Sequence, residues 1–103
     1  AGEDGDFSRK VKVIEEVDRE LPKLIGLKPD VVVVTADHST PAVLKGHSWN
    51  PVPFLLCSKY CRRDDVKEFS ESACAHGALG VFPAIDIVPL ALANALKLDK
   101  YGA

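Results

Sequence analysis

Asp37 and His38 are neighbours in the chain, and His47 returns a second imidazole shortly afterwards. One carboxylate and two imidazoles form a donor set that suits zinc or manganese. A competing reading needs no metal. Asp37 and Ser39 could satisfy backbone N–H groups at a helix start, with Ser39 or Thr40 as the cap, Pro41 in the first turn and a stop at Gly46. His47 pulls towards the metal reading, because a capping motif has no use for it. Residue types alone leave the two readings about level.

The elements that would position these residues are legible on both sides. Val31-Val32-Val33-Val34-Thr35-Ala36 reads as a strand buried on both faces, since a half-exposed strand would alternate polar positions. Ligands gather where the strands of an open parallel sheet end, and Asp37 and His38 stand at that point. Upstream, Val11, Ile14, Val17, Leu21, Leu24 and Ile25 recur at helical spacing with charged residues between them. The pattern predicts an amphipathic helix from Arg9 to about Ile25, capped by Ser8, kinked or shortened at Pro22 and stopped by a left-handed Gly26. A helix feeding a buried strand is half of a βαβ unit, so a further strand is expected before residue 1.

Downstream, Pro51 to Cys57 reads as a second strand, with its prolines confined to the start. Trp49, in the preceding loop, reads as a lid over the core. Lys59, Arg62 and Arg63 form a solvated basic loop, with phosphate contact as the sharper alternative. Asp65 and Glu68 resemble a capping box opening a helix from Val66 to about His76, with Phe69, Ala73 and Cys74 on its buried side and Gly77 ending it. Asp86 then caps a last helix, Ile87 to about Leu98, which is apolar on nearly every face and needs packing on more than one side. There is no internal repeat, linker or low-complexity segment.

Composition narrows the function classes. The 103 residues carry 13 basic and 15 acidic side chains, a net charge of -2 with no basic stripe, which argues against nucleic acid as a partner. No apolar run approaches the ~20 residues that cross a bilayer, and the acidic start lacks the basic opening of a signal peptide. The expectation is a small, soluble, cytoplasmic domain with no membrane partner. Cys57, Cys61 and Cys74 are an odd number, which argues against a disulfide framework. A zinc site from these three with His76 lacks the usual C-x-x-C pairing, so small core residues are the preferred reading.

Thr35-Ala36-Asp37-His38-Ser39-Thr40-Pro41, His47-Ser48, Pro51-Val52-Pro53, Gly77-Ala78-Leu79-Gly80 and Tyr101-Gly102-Ala103 together resemble the C-terminal segment of the archaeal-type cofactor-independent phosphoglycerate mutases, of the alkaline phosphatase superfamily. The resemblance runs from about Asp4 to Ala103. It implies an α/β fold, with residues 1–103 forming the C-terminal portion of a metalloenzyme domain. That domain would have an alkaline-phosphatase-like three-layer core, a mostly parallel sheet with flanking helices. It also implies two divalent ions, manganese or zinc with magnesium a third option, with Asp37 and His38 on one and His47 on the other. The family reads Ala-Gly-His-Asp-Gly where this chain has Ala1-Gly2-Glu3-Asp4-Gly5, so Glu3 stands in a ligand position as a harder oxygen donor.

The implied reaction is the glycolytic interconversion of 2- and 3-phosphoglycerate through a phosphoserine, with the ions holding the phosphoryl oxygens. The family's serine nucleophile and one aspartate ligand belong to sequence upstream of this match. No catalytic residue is therefore assigned here, and the chain alone is expected to be inactive. Two other classes stay open: a non-catalytic metal-binding module that self-associates through exposed sheet edges, and a phosphatase or other phosphomutase of the same superfamily.

Overall fold

The computed structural model describes residues 1–99. Tyr101-Gly102-Ala103 lie outside the described residues. The chain resolves into two compact units, one of Ala1–Pro29 with Ala36–Val52 and one of Asp30–Thr35 with the residues from Pro53 onward.

The first unit is led by helix α1, Phe7–Gly26. It starts earlier than Ser8 predicts, because the Asp6 carboxylate accepts the Arg9 N–H at 2.9 Å and is the working cap. Pro22 does not end it early, as the helix continues through to Gly26. A proline removes one i to i−4 bond, and here that single loss falls close to the C-terminus, where the chain closes on Leu24 and Ile25 through the N–H groups of Leu27 and Lys28. The left-handed residue is Lys28 (φ 55°), beyond the predicted Gly26. The helix expected from Pro41 to Lys45 is a turn only, closed by the Leu44 and Lys45 N–H groups on the Pro41 carbonyl. It stops because Lys45 itself turns left-handed (φ 51°), one residue before Gly46.

The second unit holds strands β1 (Val31–Val34) and β2 (Leu55–Ser58), paired antiparallel with Val31 opposite Ser58 and Val34 opposite Leu55. The α/β class stands, but the mostly parallel arrangement is not what these two strands make. A parallel pair needs a crossover, usually helical, and residues 35–54 between them contain no helix. β1 is also only half-buried along its length, where burial on both faces is expected, because β2 is its only strand neighbour among the described residues. β2 itself begins at Leu55, since the prolines at 51 and 53 withhold ladder donors.

Helix α2 is a single turn, Glu71–Cys74, capped by Ser70 through the Ala73 N–H at 3.2 Å, in place of the longer helix expected from Val66. Asp64 is the reason. Its carboxylate accepts the Val66 N–H at 3.1 Å and the Ala78 N–H at 3.0 Å, fixing a loop where the helix would start. Phe69 is exposed, and Ala73 and Cys74 are half-buried. Helix α3, Ile87–Asn94, follows a 3-10 turn at Ala84–Asp86 and ends before the expected Leu98, where Leu96 is left-handed (φ 58°). Asp86 precedes it without a side-chain cap bond. Phe54 and Phe82 meet edge to face with centroids 5.0 Å apart, a local contact rather than a full core.

Among the described residues no apolar side chain is fully buried, and none of the helices is long and apolar enough to cross a membrane. Trp49 is 89% exposed and covers nothing.

The Asp64 anchor makes a prediction. The Ala78 and Val66 bonds favour the carboxylate and hold its pKa below the ordinary value near 3.8. A depressed folded pKa means the anchor is at full strength above about pH 4 and fades as acid takes the pH through the folded value. The amide resonances of Val66 and Ala78 are expected to titrate together below about pH 4 and to lose that response in Asp64→Asn.

Candidate metal centre

The first unit brings the predicted residues together through one short antiparallel bridge. Ser39 and Ser48 pair there, the Ser48 N–H donating to the Ser39 carbonyl at 2.9 Å, and Ser39 is the one buried polar residue among the described residues, 8% exposed. In an antiparallel register around that pair, Thr40 falls opposite His47. His38 and Thr40, two residues apart, share a face. The two imidazoles therefore converge, with ring centroids 3.8 Å apart and planes inclined at 53°.

Each imidazole meets its own carboxylate. His38 Nε2 lies 3.2 Å from Asp37 Oδ2, while Asp37 Oδ1 accepts the His38 backbone N–H at 2.9 Å. His47 Nε2 lies 3.3 Å from Glu3 Oε1. Glu3 reaches that position because the first residues form a packed turn: the Gly5 N–H donates to the Gly2 carbonyl and the Asp6 N–H to the Ala1 carbonyl. Gly2 lies so close to the Thr40 backbone that a Cβ would sit 2.8 Å from its carbonyl oxygen. Gly5 is left-handed (φ 72°) and pressed against Lys45. Lys10 of α1 adds a bond from Nζ to the Thr40 carbonyl at 2.7 Å.

On the side away from the carboxylates, Thr40 Oγ1 lies 3.1 Å from His38 Nδ1 and 3.0 Å from His47 Nδ1. Thr40 reads in the sequence as a helix cap. The signal for its other role is its place two residues after His38, but nothing in the sequence announces the bridge that sets it opposite His47.

The arrangement is two nitrogen–oxygen pairs, side by side and open to solvent, the His38 side chain being 47% and the His47 side chain 53% exposed. Exposed pairs of this kind add little to stability, about 0–1 kcal/mol each. Their chemistry fits a divalent cation. Among the described residues no three His, Cys, Asp or Glu side chains close around one point, so each pair offers two donors rather than a full set. The cysteines take no part in such a site. Cys61 is held by Ser58, accepting its N–H at 3.4 Å and donating to its carbonyl at 3.2 Å, and His76 Nδ1 faces the Ser72 carbonyl at 3.0 Å. Of the basic loop, the Lys59 ammonium sits 5.3 Å from the Tyr60 ring centroid.

Comparison with known proteins bears on the same residues. The chain is 58% identical over 102 residues to a Thermotoga neapolitana protein named "Probable 2,3-bisphosphoglycerate-independent phosphoglycerate mutase". It is 59% identical to the protein of that name from Thermosipho africanus and 54% to that from Aquifex aeolicus. In each case 99% of this chain is covered but only 25% of the relative, so the chain spans about a quarter of their length. The solved structure of the PH0037 protein from Pyrococcus horikoshii matches with a TM-score of 0.92 at 36% identity, over all of this chain and 32% of that one. The family model described as Metalloenzyme superfamily matches residues 1–94, a span that takes in Glu3, Asp37, His38 and His47, and the chain belongs to that superfamily.

Proposed function

We propose that these 103 residues carry part of the metal-holding wall of a phosphoglycerate mutase, an enzyme of the cytoplasm that interconverts 2- and 3-phosphoglycerate through a phosphoserine. The observation that carries this reading is the doubled pair: Asp37 with His38, and Glu3 with His47, each imidazole presenting Nε2 to a carboxylate. Asp37 and His38 would hold one divalent ion, and His47 with Glu3 the other. Manganese or zinc suits the mixed nitrogen and oxygen donors, and magnesium is the harder third candidate. Bound there, the ions would supply charge for the phosphoryl oxygens.

What the chain's own residues do is narrower. The carboxylates orient the imidazoles, the Ser39–Ser48 bridge fixes their spacing, and Lys10 ties the loop to α1. Rigid placement of donors is what a phosphoryl-transfer site requires of its scaffold.

The test is a chimera in which these residues replace the matching quarter of the Thermotoga neapolitana relative. Interconversion of the two phosphoglycerates, followed by phosphorus NMR, is expected in the manganese-loaded chimera and lost when it carries His38→Ala. A folded, metal-loaded chimera that leaves 3-phosphoglycerate untouched would sink the mutase reading.

A further inference from the structure

Helix α3 carries no charged residue, and none follows it before Lys97. Its two sides differ in what they meet. Ile87, Leu90, Ala91 and Asn94 are half-buried and recur at helical spacing, so they share one side. Asn94 ties that side to the end of β2, its Oδ1 accepting the Ser58 hydroxyl at 3.3 Å while its Nδ2 donates to the Leu90 carbonyl at 3.0 Å. The opposite side is also apolar, and it lies in water. Ile85, in the 3-10 turn, is 82% exposed, Val88 is 65% and Leu92 40%. A helix that is apolar all round is a buried helix, so this second side is built to be covered.

We propose that the side of α3 carrying Ile85, Val88 and Leu92 docks on the part of the mutase polypeptide that lies outside these 103 residues. The inference takes its partner from the family reading above. These residues answer to about a quarter of each mutase relative, so most of such a polypeptide remains to supply the cover. The same backbone, at a TM-score of 0.92, makes up only 32% of the Pyrococcus horikoshii chain, so the shape described here is one that a much longer chain accommodates. The docked face must be apolar and uncharged, because α3 offers no group to pair a charge buried against it. A second copy of the chain fits less well. Eight residues of helix span about 12 Å, and a contact that short falls well below the roughly 800 Å² that each partner buries in a stable pair.

The experiment uses the full-length chimera described above. Photolysis of a diazirine probe tags exposed side chains, mass spectrometry reads the tags residue by residue, and each residue is compared with itself in the urea-unfolded chimera. Val88 and Leu92 are expected to be tagged at least about fivefold less in the folded chimera, as Leu90 is, while Glu15 and Glu16 on the charged side of α1 stay within about twofold. Val88→Asp is expected to lower the thermal midpoint of the chimera by about 5 °C or more, because it forces a carboxylate into an apolar contact, and the exposed Lys12→Asp to leave it within about 2 °C. Val88 and Leu92 tagged as freely as Glu15, or Val88→Asp melting with its parent, would overturn the proposal. So would protection that disappears when a dimeric chimera is diluted to monomer, which assigns the face to a second copy. A chimera that aggregates while the unaltered relative folds overturns it too, since α3 then does not fit the polypeptide assigned to it. An inactive chimera with Val88 and Leu92 protected removes the mutase reading and leaves the docking in place.

Discussion

Replacing His38 with alanine is expected to lower the affinity of the chain for manganese or zinc about 100-fold, roughly 2.8 kcal/mol of binding free energy. The size follows from how few donors each ion receives. The pair at Asp37 and His38 offers one nitrogen and one carboxylate, so deleting the imidazole leaves an exposed carboxylate alone. Outer-shell partners already cost about 10- to 100-fold, and a direct ligand belongs at the top of that range. His47→Ala is expected to do the same to the other ion, leaving Glu3 alone, and each single variant should retain one binding event of the two. His76→Ala is the matched control, because its Nδ1 is engaged with the Ser72 carbonyl on α2. Isothermal calorimetry resolves all three, and equal affinities in His38→Ala and wild type would remove His38 from the ligand set.

The 103 residues alone are expected to show no interconversion of phosphoglycerates, even saturated with manganese. Two donors per ion would leave a bound cation free to exchange its remaining shell with water, so the chain's own residues would not hold it to the tolerance that in-line transfer demands. Both imidazoles are about half exposed, so water is not excluded from a phosphoryl group placed there. Nor does either serine of the bridge qualify as the nucleophile. Ser39 is buried and its backbone is committed to the bridge, while Ser48 donates its hydroxyl to Asn50 at 2.8 Å. Phosphorus NMR on a pure sample with 3-phosphoglycerate is expected to show a single unchanged resonance. Growth of a 2-phosphoglycerate signal would mean that the chain carries a complete site.

The sequence made α1 legible because its apolar residues repeat at 3.6 and its charges fill the gaps. Its start is not legible, because Asp6 and Ser8 are both good caps, and only geometry selects the one whose oxygen reaches the Arg9 N–H. The strand at Val31 was legible from its β-branched run, but not its partner or direction, which depend on the irregular path of residues 35–54. The helix expected from Val66 failed on Asp64, whose side chain bonds two backbone N–H groups that helix propensity takes no account of.

At the site, Asp37, His38 and His47 stood out by residue type. Their arrangement did not, because a bridge of one residue pair leaves no periodic trace. Thr40 shows the cost of that. Next to a proline it looks like a cap, and its contact with two rings exists only once the chain has folded back on itself.

The most direct test of the metal centre is paramagnetic. Mn2+ added to the 15N-labelled chain broadens the resonances of groups close to where it binds, and the three histidines act as separate reporters. Selective loss of the His38 and His47 side-chain signals at substoichiometric Mn2+, with His76 left sharp, is the predicted result. Broadening centred on His76, or uniform across all three, would contradict it.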